Sequence, residues 1–136
     1  MTTIPFKIAL GLGCDRGTPA ETIARAVAEA LSAAGLEATQ VQAVASITLK
    51  ADEAGLLAFA AAQGWALSFY SPEQLAAVSV PNPSETVRKY TGTPSVAEAA
   101  ALLAAGADKR HLIIKKHKLR GPDGRSATIS IARISK

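Results

Sequence analysis

The sequence predicts an α/β fold, a three-layer α/β/α sandwich in which helices cover both faces of a mixed, mostly parallel sheet. Three short, mostly apolar segments, 6–11, 41–47 and 66–70, alternate with segments of helical periodicity, and parallel neighbouring strands require such crossovers. Two further strand-like segments, 111–119 and 125–134, flank a turn rich in Gly, Pro and Asp. Turn residues between such segments indicate a hairpin, so we expect the chain to close with two antiparallel strands.

Length and composition indicate one globular domain that comprises residues 1–136. Hydrophobic residues make up 49% of the chain and charged residues 19%, which is typical of a domain with one buried core. No apolar run approaches the roughly 18 residues that span a bilayer, and the first residues lack the features of a signal peptide. We therefore expect a cytoplasmic protein that does not enter a membrane. Its one cysteine, Cys14, cannot form an internal disulfide.

Positive charge is concentrated toward the end of the chain. Nine of the 15 Lys and Arg residues lie between Lys109 and Lys136, and such a patch attracts anionic partners. The segment carries no aromatic residue, whereas proteins that bind nucleic acids commonly stack bases on aromatic rings. We therefore expect no nucleic-acid partner. Contacts of the patch with other enzymes, and formation of a homodimer, stay open.

The first helix has clear start and stop signals. Thr18 is expected to cap it, with Pro19 at the first helical position, Glu21 completing a capping box and Gly35 following the last turn. Its buried face is expected to comprise Ile23, Val27, Leu31 and Ala34.

A second helix is expected over 52–63, with Gly64 after its last turn. Two adjacent carboxylates at its start, Asp52 and Glu53, point in different directions, so helix capping is favoured over a general acid/base pair. Its buried face is expected to comprise Leu56, Leu57 and Ala60.

Three further helix starts repeat one device, a capping residue followed by proline. They lie at Ser71, Asn82 and Thr93. The last of them opens an alanine-rich helix over 96–105, and capping also explains Ser84 and Glu85 after the second. If these starts share one edge of the sheet, their amides and dipoles form a cleft that binds carboxylates.

The turn between the first strand and the first helix is the candidate binding surface. Gly11, Gly13 and Gly17 would let a ligand approach the backbone, and the amides before the helix would face an anion. The spacing matches neither a phosphate-binding Walker loop nor the dinucleotide fingerprint, so no nucleotide cofactor is predicted. A tight turn without a ligand explains the glycines equally well.

Cys14 and Arg16 are adjacent to this helix start. A cationic neighbour and a helix start lower the pKa of a thiol, which would make Cys14 a candidate nucleophile. The alternative is a small apolar residue packed at the end of the strand, and it is favoured because no general base is identified.

Two polar residues lie near the end of the second strand. Ser46 and Lys50 occupy the edge at which open α/β sheets bind ligands, and Lys50 is able to pair with a carboxylate there. Simple solvation of the lysine is the alternative.

No metal site is predicted. His111 and His117 are six positions apart on one strand, or about 20 Å, which is too far to share an ion.

Six stretches of the chain together resemble the family formed by CobE and the C-terminal domain of CbiG, proteins of cobalamin biosynthesis. They occur in order and extend over nearly the whole chain. They read GLGCDRGT at 11–18, ASITLK at 45–50, DEAGL at 52–56, FYSPEQL at 69–75, VPNPSE at 80–85 and GTPSVAEAA at 92–100.

The resemblance implies a fold similar to the one expected above, and a ligand. Two-domain CbiG opens the lactone ring of a cobalt-precorrin and releases acetaldehyde. This chain is too short for the N-terminal domain of CbiG, so it is most similar to stand-alone CobE of the aerobic pathway. Corrin precursors carry many acetate and propionate groups, which suit helix amides, cations and an apolar platform such as Phe69 and Tyr70.

Two functional hypotheses follow from the resemblance. The first is a carrier or accessory protein that binds a precorrin or hydrogenobyrinic-type tetrapyrrole without a cofactor. The second is a hydrolase acting on the lactone or a side chain of that ring, with Cys14 as nucleophile or Glu53 or Glu85 as general acid/base. The residues expected to contact the ligand are Gly11, Gly13, Cys14, Arg16, Gly17, Thr18, Ser46, Lys50, Ser71, Asn82, Ser84, Thr93 and Ser95.

Overall fold

A computed structural model of the chain describes residues 6–78 and 96–134. In these ranges five strands form one sheet, in the order β3-β2-β1-β5-β4. The strands are β1 (Ile8–Cys14), β2 (Val41–Ile47), β3 (Leu67–Tyr70), β4 (Leu112–Arg120) and β5 (Ser126–Arg133). β2 pairs in parallel with both β1 and β3, whereas β5 runs antiparallel to β1 and to β4. The predicted mixed, mostly parallel sheet with a C-terminal hairpin is therefore confirmed.

Helices lie on both faces of this sheet. They are α1 (Ala20–Ala34), α2 (Ala54–Gln63), α3 (Pro72–Ala76) and α4 (Val96–Ala105), with short 3-10 turns at Ala38–Gln40, Thr48–Lys50 and Lys109–His111. α1 and α2 share one apolar core with the sheet, and α4 packs on the opposite face. The three-layer α/β/α architecture is confirmed. None of the helices within 6–78 and 96–134 has the length and hydropathy that crossing a bilayer requires.

The buried face of α1 contains Ile23, Val27 and Leu31 as predicted, whereas Ala34 at its end is only half-buried. The buried face of α2 also differs from the prediction. Leu57 is 42% exposed, whereas Phe59 is buried beside Leu56. Positions three and four apart share a helix face, while neighbouring positions diverge by about 100°. Phe59 therefore replaces Leu57 in the core, where its ring meets Trp65 edge-on at a centroid distance of 5.8 Å.

β1 continues three residues beyond its predicted end at Gly11. Gly11 and Gly13 pair with Ser130 and Thr128 of β5, so they belong to the sheet rather than to a turn. A Cβ on Gly11 would lie 1.8 Å from the carbonyl oxygen of Ala97 in α4. Glycine is required at this position because the helix backbone lies directly against the strand.

The sequence of β5 alternates the apolar Ala127, Ile129 and Ile131 with Ser126, Thr128 and Ser130, which predicts one buried and one solvated face. That prediction is wrong. Ser126 and Ser130 are both buried, because β5 lies inside the sheet between β1 and β4 and α4 packs on that side. The Ser130 hydroxyl donates to the carbonyl of Lys115 at 2.6 Å, where the pairing of β4 shifts register. The buried Ser130 side chain is accommodated there because its hydroxyl donates to a carbonyl of β4 at the point where the register shift interrupts the regular pairing.

Candidate functional site

Four helix starts meet at one edge of the sheet. α1, α2 and α3 follow the C-terminal ends of β1, β2 and β3 in turn. The first residue of α4, Val96, is 4.0 Å from the position that a Cβ on Gly13 would occupy, near the end of β1. We call this edge the carboxyl edge; it also includes the hairpin turn, because Cys14 pairs with Ala127 at the start of β5. The predicted starts at Asn82 and Thr93 lie outside the described residues, so the carboxylate-binding cleft stays a prediction, although the described helix starts lie at one edge.

Residues 15–18, which we call the 15–18 turn, are bound tightly to the start of α2. The Gly17 amide donates to Glu53 Oε2 at 3.0 Å, and one Arg16 nitrogen donates to Glu53 Oε1 at 3.2 Å. Arg16 also donates to Asp52 Oδ1 at 2.9 Å and to the Leu49 carbonyl at 2.7 Å. The amide and guanidinium groups expected to bind a ligand anion are occupied by the protein's own carboxylates.

The same turn is bound to the start of β5 from the other side. The Ser126 amide donates to Asp15 Oδ2 at 2.8 Å, and Arg125 Nε donates to the Arg16 carbonyl at 2.9 Å. The Thr18 hydroxyl donates to the Asp15 carbonyl at 2.7 Å. Thr18 is therefore not the cap of α1, in which Pro19 is the N-cap residue without a side-chain hydrogen bond. The predicted cap is wrong because the hydroxyl bonds within its own turn and lies 3.3 Å from the Ser126 carbonyl of β5.

Glu53 was expected to cap α2 or to act in acid/base chemistry. It is the N-cap residue and is only 5% exposed. Its side chain does not cap the helix but crosses to the 15–18 turn. A Cβ on Gly55 would lie 2.1 Å from the Thr18 carbonyl oxygen, so the first turn of α2 lies against that segment. Both carboxylate oxygens of Glu53 thus have structural partners in the turn.

Cys14 is half-buried against the core that α1 and α2 share with the sheet. Burial raises the pKa of its thiol to about 11, and Glu53 and Asp15 add to the rise, although the charges of Lys50 and Arg16 oppose it. The predicted lowering of this pKa is wrong because desolvation outweighs the nearby cations. A thiol with this pKa is protonated at neutral pH, which favours the packing alternative.

Ser46 and Ser71 have structural partners. The fully buried Ser46 hydroxyl donates to the Leu12 carbonyl at 2.7 Å, just beyond the last residue pair of β1 and β2. Ser71 caps α3 as predicted, since its hydroxyl accepts the Gln74 amide at 3.1 Å and the Gln74 side chain completes a capping box. Both hydroxyls therefore stabilise the edge of the sheet.

Lys50 remains a candidate for ligand binding. It ends the Thr48–Lys50 turn, is half-buried, and has no ion-pair partner among the described residues. Leu49 beside it is 45% exposed, while the half-buried rings of Phe69 and Tyr70 each pack on one of the cores. A cation and an apolar side chain are thus adjacent at the carboxyl edge.

Some predicted site residues lie outside the described residues, and no metal cluster is found among those described. Those outside are Asn82, Ser84, Glu85, Thr93 and Ser95. Within 6–78 and 96–134 no three His, Cys, Asp or Glu side chains are grouped so that they could hold a metal ion. His117 instead bonds to Glu29 at 2.9 Å, and His111 contacts Asp108 at 3.3 Å.

Two features of the edge were missed in the sequence. The contacts of Arg16 with Asp52 and Glu53 join residues 36 and 37 positions apart. Because Arg16 follows the first strand and the two carboxylates follow the second, parallel strand, their opposite charges would have indicated these contacts. Lys118 and Arg120 reach the carboxyl edge at the end of β4. Their alternation about the apolar Leu119, just before a hairpin turn, would have indicated that they share one face.

Comparison with known proteins gives a consistent result. The family model described as "Cobalamin synthesis G C-terminus" matches residues 8–132. Protein CobE of Sinorhizobium sp is 42% identical over 113 residues, which are 80% of this chain and 71% of that protein. Cobalt-precorrin-5A hydrolase of Priestia megaterium is 41% identical over 130 residues, or 96% of this chain, but the chain spans only 33% of that enzyme.

Solved structures extend the agreement to the fold. The crystal structure of CobE, a protein from the cobalamin (vitamin B12) biosynthetic pathway, superposes with a TM-score of 0.81 at 30% identity. It covers 100% of this chain and 99% of that one. Cobalamin biosynthesis protein chiG from Agrobacterium tumefaciens gives a TM-score of 0.67 at 34% identity, over 95% and 99% of the two chains. On this evidence the chain belongs to the cobalamin biosynthesis family that comprises CobE and the C-terminal domain of CbiG.

Proposed function

We propose that this protein binds a carboxylate-rich tetrapyrrole intermediate of cobalamin biosynthesis, of the precorrin or hydrogenobyrinic type, as a cytoplasmic carrier or accessory protein. The observation that carries the proposal is the meeting of the helix starts at one sheet edge, together with membership of a cobalamin biosynthesis family. Helix amino termini favour anions because their first amides and their dipoles point outward. Such an edge suits a ring whose periphery is lined with carboxylates.

The chemistry of the edge supports a mixed polar and apolar contact. Lys50 supplies a cation without an ion-pair partner among the described residues, and Leu49 next to it exposes apolar surface. A tetrapyrrole presents an apolar face and a charged rim, and binding sites for such ligands combine apolar surface with a few placed charges. Leu49 suits the apolar face of such a ligand, and Lys50 suits its charged rim.

Binding without turnover is favoured over catalysis by the state of the candidate catalytic groups. The Cys14 thiol is protonated at neutral pH because burial raises its pKa to about 11. Glu53 uses both carboxylate oxygens for the 15–18 turn. A nucleophile normally has a base within hydrogen-bond distance, and no histidine or carboxylate is bonded to Cys14 among the described residues.

The second candidate function is hydrolysis of the precorrin lactone or of a ring side chain. It is favoured by the 41% identity to cobalt-precorrin-5A hydrolase, although the chain spans a third of that enzyme. In this alternative Cys14 is the nucleophile, or Glu53 or Glu85 is the general acid/base. Glu53 would first have to leave Gly17 and Arg16, which costs the hydrogen bonds described above.

A spectral titration separates these functions. Purified protein is titrated with a panel of precorrin and hydrogenobyrinic intermediates, while the visible spectrum and the mass of each tetrapyrrole are followed. We expect a saturable spectral shift with unchanged mass. A change of mass would support the hydrolase, and its loss in Cys14→Ala or in Glu53→Gln would identify the group that carries it. The absence of both a spectral shift and a change of mass would contradict both functions.

A further inference from the structure

Two cations at the end of β4 lie on the face of the sheet that α4 covers. Lys118 is opposite Thr128 of β5, and Arg120 is opposite Ser126. Leu119 between them packs into the core on the α1 side, and successive strand residues point to opposite faces. Lys118 and Arg120 are therefore both directed to the α4 side, and both are exposed.

These cations make no ion pair with any described carboxylate. Two acids near the end of β4 serve other groups, since Asp15 binds the Ser126 amide and Asp123 of the hairpin turn binds Arg125. A pair of exposed cations without acids attracts an anion from solution. Within residues 6–78 and 96–134, Lys118 and Arg120 are thus exposed cations without an ion-pair partner.

A row of aligned residues connects these cations to the start of α4. Thr128 pairs with Lys118 on one side and with Gly13 on the other, so the three residues cross β4, β5 and β1 in line. A Cβ on Gly13 would be 4.0 Å from the nearest atoms of the described residues, which belong to Thr128 and Val96. The row therefore begins beside the amino terminus of α4 and ends at an exposed ammonium group.

Packing among the described residues does not require glycine at position 13. Its φ is not in the left-handed region, and a methyl group would fit there at ordinary contact distances. Glycine in a strand interior weakens the strand and otherwise marks close approach of a ligand or a backbone. Among the described residues, close approach of α4 explains Gly11 but not Gly13, which is half-buried and leaves room for a ligand beside the strand.

We infer that Gly13, Thr128, Lys118 and Arg120 form a carboxylate-binding shelf for the side chains of the tetrapyrrole, an inference that rests on the proposed function. Lys118 and Arg120 pair with acetate or propionate groups of the ring, since charge-assisted hydrogen bonds to carboxylates are the strong ones. Gly13 lets the ring approach the strand beside the positive end of the α4 dipole. The shelf is distinct from the 15–18 turn, whose donors are already occupied.

The test compares two double variants that lose the same charge. Lys118→Ala/Arg120→Ala removes the shelf cations, and Lys109→Ala/Lys115→Ala removes two exposed lysines elsewhere on the basic segment. Dissociation constants for hydrogenobyrinic acid and for uroporphyrin are measured by visible titration at two salt concentrations. We expect the shelf variant to bind about fivefold to twentyfold more weakly, with a reduced salt dependence, and the control to stay within about twofold of wild type.

A third variant tests the part of the shelf at Gly13 without a change of charge. Gly13→Val places a side chain between Thr128 and Val96, and β-branched residues are well accommodated in strands. We expect weaker binding of both tetrapyrroles while the melting curve, followed by circular dichroism, keeps its cooperativity and midpoint.

The outcomes distinguish this inference from the proposed function. If wild type binds neither tetrapyrrole nor any member of the intermediate panel, the proposed function is overturned and the shelf with it. If wild type binds but the shelf variant and Gly13→Val bind equally well, only the shelf is overturned. A changed oligomeric state of the shelf variant with unaltered tetrapyrrole affinity would make the surface an interface between copies and would also overturn the shelf.

Discussion

The two sides of the carboxyl edge differ in how their polar groups are used. On the side of α1 and α2, Gly17 and Arg16 are bound by Glu53, and Asp15 binds the Ser126 amide. On the side of α4, Lys118 and Arg120 have no ion-pair partner among the described residues. A glycine-containing turn before a helix therefore does not by itself make an anion site, because the protein's own carboxylates are able to occupy it.

The largest expected effect is on the free energy of unfolding, and it distinguishes Gly11 from Gly13 in β1. Gly11→Ala would force its methyl group against the Ala97 carbonyl of α4, where only 1.8 Å is available. We expect a loss of about 3 kcal/mol or more in the free energy of unfolding, because backbone atoms cannot yield as a side chain does. The measurement is urea denaturation followed by circular dichroism.

Gly13→Ala is the matched control, since position 13 lies two residues further along the same strand. Within residues 6–78 and 96–134, its methyl group would have no neighbour closer than 4.0 Å. We expect stability unchanged or raised by up to about 1 kcal/mol, because alanine has less backbone entropy to lose on folding. Equal losses in both variants would contradict the distinction between a packing glycine and a ligand glycine.

The next effect concerns the α1 and α2 side of the carboxyl edge, where Glu53 binds the 15–18 turn. Glu53→Ala removes the carboxylate that accepts hydrogen bonds from the Gly17 amide and from the Arg16 guanidinium group. We expect a loss of about 2 kcal/mol in the free energy of unfolding, and about half of that in Glu53→Gln, which keeps one acceptor oxygen. Amide hydrogen exchange at Gly17 should quicken in the alanine variant. Slow exchange there would show that Glu53 does not hold the turn.

The third prediction concerns the reactivity of the Cys14 thiol, which packs on the α1 and α2 side of the sheet. With a pKa of about 11 in place of 9.0, its thiolate fraction at pH 8 is about a hundredfold below that of a free thiol. Alkylation by iodoacetamide should be correspondingly slow in the folded protein and normal in urea. Rapid alkylation at pH 8 would restore Cys14 as a candidate nucleophile.

The same pKa shift has a consequence for stability. The folded-state pKa of Cys14 lies above the unfolded value of 9.0, so the unfolded chain releases its proton first as the pH rises. The stabilising contribution is therefore complete below about pH 9 and is lost between about pH 9 and 11. Cys14→Ser should have a flatter stability profile across that range.

The smallest effect is expected at Asp52. Its hydrogen bond to Arg16 lowers the pKa of the carboxyl group, but the Asp52 side chain is 80% exposed. Exposed ion pairs contribute little, so Asp52→Asn should shift the Tm by at most about 1 °C. Its contribution is present above the ordinary pKa of aspartate and is lost as the pH falls through the lowered value. A large loss of stability at neutral pH would show that Arg16 depends on Asp52 as well as on Glu53.

Local signals in the sequence were sufficient for much of the fold. The bounds of β2 and α4, the capping box at Ser71 and the C-terminal hairpin follow from periodicity, capping and turn chemistry, and the structure confirms them. Each of these signals lies within a few residues of the element that it determines.

The site was less predictable because its contacts join distant parts of the chain. Gly11 was assigned to a turn because its true partner, Ala97, lies 86 positions later. The Thr18 hydroxyl was assigned to a helix cap but bonds within a turn that β5 supports. Glu53 resembled a cap for the same reason. Contacts with distant residues overrode the local signals at Gly11 and Glu53, and the Thr18 hydroxyl bonds to Asp15 beside the Ser126 carbonyl of β5.

The most direct test of the central claim is an NMR titration of the protein with hydrogenobyrinic acid, following backbone amide shifts. The claim is that the ligand binds on the α4 side of the carboxyl edge while the 15–18 turn stays closed. We expect the largest shift changes at Gly13, Lys118 and Thr128, and little change at Gly17. Changes concentrated at Gly17 and Glu53, with the shelf residues unaffected, would contradict the claim and would make the turn the binding site.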